Sequence, residues 1–194
     1  MQKKTQKNTK SKIITAAWKL FYEQGYEDTT VEDIIFESHT SKGSFYHYFD
    51  GKDALLGTLS SLFDERYEEL ADSLDAVEGA FEKLIFLNKE LFLTIENSVP
   101  IELLAMLYSS QLVTRGERHL LDRRRTYYKL LRRIVSEGQA NGELTNALPI
   151  DEIVKIYALI ERGFIYDWCI CNGEYSLSRY SHTLLPDMIK FIIK

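Results

Sequence analysis

The spacing of apolar residues is the feature that most restricts what this chain can fold into. Apolar side chains recur every three or four residues, as in Ile13, Ala16, Ala17, Leu20 and Phe21. This period places them on one face of an α-helix. Only three prolines and ten glycines interrupt the 194 residues, so long helices can form. We therefore predict an all-α protein and find no pattern typical of a strand.

Turn and capping residues divide this pattern into separate helices. Thr30 is expected to cap the second helix with Asp33 as its capping-box partner, and Asp50 is expected to cap the fourth. The sequence predicts helices over residues 9–24, 31–38, 41–49, 51–74, 80–97, 101–110, 117–140, 149–171 and 178–193.

Charge is distributed unevenly along the chain. The formal net charge is −5, yet Lys3, Lys4, Lys7, Lys10 and Lys12 precede the first apolar stripe without an acid among them. We expect residues 1–8 to form a basic disordered arm. Such an arm is consistent with contact to nucleic acid. A solvated tail is the alternative.

The third predicted helix has two contrasting faces. Phe45, Tyr48 and Phe49 share one side at helical spacing, so they should dock on a core. The opposite side is polar and nearly free of acids, and a helix of this length fits the DNA major groove. A short connecting helix with a solvated face is the alternative. The polar side and its flanks hold Thr40, Lys42, Gly43, Ser44, Tyr46 and His47.

The N-terminal segment resembles a known family. The stretches Lys12–Tyr26, Thr29–Ile34, Ser41–Phe49 and Gly51–Leu55 are similar to the DNA-binding region of the tetracycline-repressor (TetR/AcrR) family. A weaker similarity continues in the C-terminal part. The resemblance implies a helix-turn-helix domain, expected over residues 9–69, and a helical ligand-binding and dimerisation domain over residues 70–194.

The resemblance also implies roles for particular positions. Tyr46, His47 and Lys52 match residues that contact phosphates, and Thr30 caps the second helix beside the DNA backbone. Base-facing positions are matched by Thr40, Lys42, Gly43 and Ser44.

Three positions depart from the family pattern. Thr40 stands where a valine-like residue is usual in the turn. His39 stands where a glycine usually takes a left-handed conformation, so strain is expected there. The turn therefore has a geometry that the resemblance does not fix. Ile35 replaces a smaller residue and requires different packing.

The C-terminal helices carry more apolar surface than one core needs. Residues 149–171 have one stripe through Ile153, Ile160 and Phe164 and another through Val154 and Ile165. One stripe could face the core and the other a second copy, although a fully buried helix is the alternative. The family resemblance implies a homodimer built on the last two helices. The expected contacts are Phe164, Tyr180, Leu184, Leu185, Met188 and Ile192.

Several side chains of the C-terminal part could bind an effector. Aromatic residues at helical spacing could line an apolar pocket, or could be ordinary core. The run Arg123–Arg125 with Arg132 and Arg133 could be a solvated face, or could pair with an anionic ligand or a carboxylate. The pocket candidates are Met106, Tyr108, Tyr127, Glu161, Tyr166 and Trp168.

Other function classes lack support in the sequence. Cys169 and Cys171 are too few for a disulfide framework or a four-thiolate zinc site. We find no phosphate-binding, dinucleotide or nucleophile motif, and expect no enzyme, cofactor or metal. We also expect no membrane span and a cytoplasmic location. The family resemblance implies a repressor that binds operator DNA as a homodimer and is released by a small amphipathic molecule. A helical adaptor without DNA binding is the competing class.

Overall fold

The chain folds into helices connected by short turns. The computed structural model describes the backbone of residues 2–113 and 118–194 and the side chains of residues 9–60, 63–113 and 118–194. Within those residues there is no strand, and one isolated β-bridge joins Leu144 to Ile193. The side chains of the predicted arm up to residue 8 and of Leu62, and the predicted helix start at Glu117, lie outside these ranges.

The helices divide between two compact units. The first unit comprises Met1–Ser61 and Glu102–His119, and the second comprises Leu62–Ile101 and Leu120–Lys194. These units differ from the predicted division after residue 69. In chain order the α-helices are α1 (Gln2–Gln24), α2 (Val31–Glu37), α3 (Lys42–Tyr48), α4 (Lys52–Leu56), α5 (Leu59–Leu74), α6 (Ala80–Ser98), α7 (Ile101–Val113), α8 (Thr126–Ala140), α9 (Ile150–Ile170) and α10 (Leu177–Ile189).

The core of the first unit forms as the apolar spacing predicts. Ile13, Ala17 and Phe21 of α1 are buried together with Ile34 of α2 and Phe45 of α3. The start predicted for α1 is too late, because the helix begins at Gln2 rather than Thr9. No proline or glycine lies between these positions, and lysine and glutamine are good helix formers. The backbone of residues 2–8 is therefore helical, not the disordered arm that we expected.

The fourth predicted helix is wrong as a single element. It breaks at Gly57 and Thr58 into α4 and α5. The hydroxyl of Thr58 donates to the carbonyl of Leu55 at 2.6 Å and competes with helical hydrogen bonding. The predicted cap is also wrong, since Gly51 occupies the N-cap position without a side-chain hydrogen bond. Asp50 makes no cap because the chain is extended through Gly51.

The long helix predicted over residues 117–140 is likewise shorter. A 3-10 turn covers His119–Leu121, and α8 begins only at Thr126. Asp122 explains the interruption, because its carboxylate accepts from the backbone N–H of Arg124 at 2.9 Å and from the guanidinium of the same residue. These hydrogen bonds lower the pKa of Asp122 to about 2. A side chain that bonds its neighbouring backbone favours a turn over a helix.

The second unit packs α6, α8, α9 and α10 around an apolar core. One close approach fixes its geometry: a Cβ atom on Gly138 of α8 would lie 2.5 Å from the Cβ of Ala80 of α6. Across the described residues, no single helix has the length and apolar composition to cross a membrane, and the bent pair α6 and α7 reaches them only together.

Candidate nucleic-acid interface

The entry to α2 is held by hydrogen bonds between close neighbours. The hydroxyl of Thr30 accepts from the backbone N–H of Asp33 at 3.1 Å, and the Asp33 carboxylate accepts from the backbone N–H of Thr30 at 2.9 Å. This reciprocal pair is the predicted capping box, which is confirmed. Hydrogen bonds from the Thr30 hydroxyl and backbone lower the pKa of Asp33. The cap fixes the direction in which α2 leaves its loop.

The turn between α2 and α3 takes the left-handed conformation expected at His39, whose φ is 52°. The N–H of His39 donates to the carbonyl of Phe36 at 3.1 Å, and the N–H of Thr40 donates to that of Ile35 at 3.2 Å. Together these are the two bonds of a Schellman motif, with histidine in the position that glycine usually fills. The departure from the family pattern therefore keeps the turn geometry and adds strain.

Helix α3 is anchored by its inner face. Phe45 is fully buried and Phe49 nearly so, and their ring centroids are 5.9 Å apart. Ser41 caps the helix, since its hydroxyl accepts from the backbone N–H of Ser44 at 3.1 Å. The predicted docking of the aromatic side is therefore confirmed. The opposite side of α3 is left facing solvent.

That outer side presents four of the eight predicted DNA-contacting residues. Lys42, Gly43, Tyr46 and His47 are all exposed. A Cβ atom on Gly43 would meet nothing nearer than the Ser41 hydroxyl at 3.9 Å, so the fold itself does not require a glycine there. We define the exposed surface of these four residues as the recognition face.

Two predicted base-facing hydroxyls already have partners within the motif. The Thr40 hydroxyl lies 2.8 Å from that of Ser38, and the Ser44 hydroxyl lies 2.9 Å from that of Ser41. Both side chains are half-buried. Each would have to reorient its hydroxyl to meet a base.

Lys42 of the recognition face forms an ion pair in the free protein. The ammonium of Lys42 lies 3.1 Å from the carboxylate of Glu32 on α2, with both side chains about two-thirds exposed. The hydrogen bond between them raises the pKa of Lys42 and lowers that of Glu32. Exposed pairs of this kind contribute little to stability, so Lys42 can exchange the carboxylate for a phosphate or a base edge.

Lys52, which the resemblance assigns to phosphate contact, has partners inside the protein. It is half-buried, and its ammonium donates to the carbonyls of Tyr26 at 2.7 Å and Thr29 at 3.0 Å. It also lies 4.3 Å from the centroid of the Tyr26 ring. The lysine that the resemblance assigns to phosphate contact is therefore bound within the protein, because the loop between α1 and α2 turns its carbonyls toward α4. Lys52 holds this loop together within the first unit.

Comparison with known proteins agrees with this motif. Residues 13–59, which contain α2, the turn and α3, match the family of bacterial regulatory proteins named tetR. The chain belongs to the TetR family of bacterial regulatory proteins. It is a transcriptional regulator with an N-terminal helix-turn-helix.

Individual relatives are similar over shares of the chain that differ widely. An uncharacterised regulator from Lactococcus lactis is 52% identical over 46 residues, which is 24% of either chain. The regulator HbdR from an Aromatoleum species is 27% identical over 175 residues, covering 87% of this chain and 73% of that one. The solved structure of FadR from Bacillus subtilis with stearoyl-CoA shares the fold, with a TM-score of 0.73 at 21% identity over 94% of this chain and 98% of that chain.

The second unit of this regulator brings two of the predicted pocket residues together. The Tyr127 hydroxyl on α8 donates to the Glu161 carboxylate on α9 at 2.6 Å, and the Asn88 amide on α6 donates to the same carboxylate at 2.9 Å. All three side chains are buried. Burial raises the pKa of Glu161, against the opposing effect of these hydrogen bonds. Asn88 was not predicted, although it is a polar residue on the leucine-rich buried side of α6.

The other pocket candidates are not gathered around this network. Trp168 is buried, but its ring N–H donates to the Tyr175 carbonyl at 2.8 Å at the end of α9. Tyr166 is 53% exposed. Met106 and Tyr108 belong to the first unit. Spacing on a helix did not show which side chains would face the same interior.

The predicted dimer contacts also separate into two groups. Phe164, Leu185 and Ile192 are buried within their own unit and offer no surface to a partner. The second stripe predicted through Val154 and Ile165 is buried too, because α9 is packed against neighbours on two sides. Tyr180 and Met188 are exposed, and Leu184 is half-buried.

A different stripe of α9 faces solvent. Leu159, Tyr166 and Ile170 are each more than half exposed, and Gly163 is exposed between them. These residues recur at intervals of three or four, so they lie along one side of the helix. A Cβ atom on Gly163 would contact nothing within 4 Å.

Proposed function

We propose that this regulator binds operator DNA as a homodimer through the recognition face and that a small amphipathic molecule releases it, so that it acts as a repressor. The observation that carries the proposal is the outer side of α3, held in place by Phe45 and Phe49 while Lys42, Gly43, Tyr46 and His47 face solvent. A helix presented in this way can enter the major groove.

Gly43 offers the sharpest test of DNA binding. Alanine is sterically compatible with the free fold and favours helix, so Gly43→Ala should not lower the melting temperature. If the backbone of α3 approaches DNA closely at Gly43, the added methyl group should weaken binding. The measurement is fluorescence anisotropy with duplexes selected from a random-sequence pool. Unchanged affinity for both Gly43→Ala and Tyr46→Ala would contradict the proposal.

A pair of exposed lysines supplies the matched control. Lys42→Ala removes a charge from the recognition face, whereas Lys129→Ala removes one from the exposed side of α8 in the second unit. We expect only Lys42→Ala to weaken binding and to reduce its dependence on salt concentration. Equal effects of the two substitutions would indicate attraction by overall charge instead of a defined contact. A protein with no salt-dependent DNA binding at all would favour the adaptor.

The proposed homodimer uses the solvent-facing stripe of α9 with the exposed residues of α10. An apolar surface on two neighbouring helices favours a second copy of the chain, and the missing side chain of Gly163 allows two helices to approach closely. The double change Tyr166→Glu and Ile170→Glu should give monomers in sedimentation and weaken operator binding. The control Leu112→Glu changes an exposed leucine of the first unit, 74% exposed, and should leave a dimer. A wild-type monomer at micromolar concentration would contradict this part.

The proposed effector site includes the network of Asn88, Tyr127 and Glu161. Support comes from the Asn88 side-chain oxygen, which is buried and has no hydrogen-bond partner among the described residues. A donor group of a ligand would satisfy it. The bound stearoyl-CoA of the FadR structure is itself amphipathic, which supports an effector of that kind.

A fluorescence titration tests the effector. An amphiphile that binds at this network, two turns of α9 from Trp168, should change the fluorescence of Trp168 and weaken operator binding together, because two linked sites affect each other reciprocally. The Trp18→Phe background removes the other tryptophan. Cationic, neutral and anionic amphiphiles should be compared. Binding without any change in DNA affinity would contradict an effector role.

A further inference from the structure

A small cavity on the second unit is surrounded by cationic side chains. Its volume is about 250 Å³, and it lies between α8, α9 and the turn that precedes α8. Four cations line it, namely Arg123, Arg132, Lys155 and Arg162, against the single carboxylate of Asp151. This cavity has no part in the DNA-binding or effector sites proposed above.

The fold gathers these charges by helical spacing. Tyr128 and Arg132 are four residues apart on α8, and Asp151, Lys155 and Arg162 lie along one side of α9. Side chains at such intervals share a helix face. The two faces meet because α8 packs on α9. The sequence showed the arginine run but not the lysine and arginine of α9 that complete the cluster.

Two of the guanidinium groups are held in fixed positions. Arg132 donates to the Asp151 carboxylate at 2.8 Å and to the backbone carbonyl of Arg123 at 3.1 Å. Arg162 donates to the hydroxyl of buried Tyr128 at 3.3 Å, and that hydroxyl donates to the carbonyl of Leu120 at 3.0 Å. A guanidinium fixed before binding loses less conformational entropy when an anion arrives.

Arg162 differs from the other arginines of the cavity in its partners. It is half-buried, and in the described part of the chain no carboxylate lies within ion-pair distance of its guanidinium. Its neighbour Glu161 turns the other way, toward Asn88 and Tyr127. Asp151 is shared between Arg132 and Arg123, the latter at 3.8 Å. The cavity therefore keeps an excess of positive charge.

The inner wall of the cavity is apolar, since Val154 and Ala158 are buried beneath the charged rim. A cationic site that is partly open to solvent and has an apolar inner wall attracts a compact anion. Its volume is smaller than the roughly 300–1,000 Å³ of sites for drug-sized ligands. Several arginines around one space suit the oxygens of phosphate, which accept paired N–H donors.

We propose that this cavity is a binding site for a phosphate-bearing anion, with Arg162 and Arg132 as the principal ligands of the phosphate oxygens. Arg123 and Lys155 supply further positive charge at the rim, where Arg123 lies 3.8 Å from Asp151 and Lys155 lies 3.6 Å from Glu152. The inference concerns binding by the second unit and is independent of the proposed operator and effector.

Inorganic pyrophosphate is the probe, titrated calorimetrically into the full chain at constant ionic strength without DNA. We expect one binding event per chain, and Arg162→Gln should weaken it about tenfold, as loss of one charge-assisted hydrogen bond implies. The control Arg133→Gln removes the same charge from an exposed arginine of α8 outside the cavity. It should change the affinity less than about twofold.

Succinate, a dianion with carboxylates in place of phosphates, tests the chemical class and should bind more weakly. Equal affinity for succinate would overturn the assignment to phosphate. Absence of pyrophosphate binding, or equal weakening by Arg133→Gln and Arg162→Gln, would overturn the site. Circular dichroism of each variant shows whether it is folded, and Lys155→Gln, which alters an exposed side chain, should also weaken binding if the cavity is the site.

Discussion

The two units of the molecule place their polar groups in opposite ways. In the first unit the recognition face is set by hydrogen bonds between near neighbours, such as Thr30 with Asp33 and Ser41 with Ser44. In the second unit the buried network joins residues far apart in sequence, since Asn88 and Glu161 are separated by 73 positions. A local motif can form wherever its short sequence occurs, whereas a distant pair exists only when the whole unit is packed.

This difference has an energetic consequence. The caps of the first unit are exposed, so water can replace their hydrogen bonds at modest cost. The network of the second unit is buried, where an unsatisfied donor loses its hydration without compensation. We therefore expect changes in the second unit to cost more stability than changes in the turns of the first.

The largest effect is expected at Glu161. Glu161→Leu keeps a similar volume but leaves the Tyr127 hydroxyl and the Asn88 amide without their acceptor. With about 1–3 kcal/mol for each of the two buried unsatisfied groups, the free energy of unfolding should fall by roughly 2–6 kcal/mol in urea titrations. Glu161→Gln retains one acceptor oxygen and should cost less. If the free energy of unfolding fell by less than about 1 kcal/mol in both variants, the network would contribute little to stability.

The next effect concerns the close approach at Gly138. Gly138→Ala places a methyl group against Ala80 and Leu144, where the Cβ atom would lie 2.5 Å and 2.8 Å from carbon atoms. Overpacking of this kind costs about 1–3 kcal/mol, measurable as a lower melting temperature. Gly43→Ala is the control, since its Cβ atom would meet nothing nearer than 3.9 Å. The contact between α6 and α8 would be less tight than described if both variants melted like wild type.

A smaller effect is expected at the turn before α3. His39→Val forces a β-branched residue into the left-handed region, which should lower the free energy of unfolding of the first unit by about 1–2 kcal/mol. His39→Gly removes the strain and should leave stability unchanged or slightly higher. A valine variant as stable as wild type would mean that the turn can change its conformation.

The smallest effect belongs to the capping box. Thr30→Ala should cost about 1 kcal/mol at neutral pH. Because the pKa of Asp33 is lowered in the folded protein, its contribution is present above its ordinary pKa and is lost as pH falls through the lowered value. The difference between wild type and Thr30→Ala should therefore narrow below about pH 4. A difference that is constant from pH 7 to pH 3 would contradict the reciprocal cap.

The ion pair between Lys42 and Glu32 affects the surface that we propose to bind DNA. Both residues belong to the local motif, yet their ion pair joins two helices and is not a short-range sequence pattern. The recognition face therefore depends partly on a contact that only the arrangement of α2 against α3 provides. Lys52 is a second case. Its ammonium donates to carbonyls of the α1–α2 loop, and its position at the start of α4 did not predict this contact.

The sequence alone determined the all-α class, the cap at Thr30, the left-handed turn at His39 and the inner face of α3, because each depends on residues within one or two turns of one another. It did not show the break between α4 and α5 or the late start of α8. Only the tertiary structure decided that Lys52 is bound internally, that Leu185 and Ile192 are buried, and that Asn88 and Arg162 face polar partners on other helices. Helical periodicity says which residues share a side of a helix. It does not say whether that side faces its own core, a second chain or solvent, because this depends on which helices pack together.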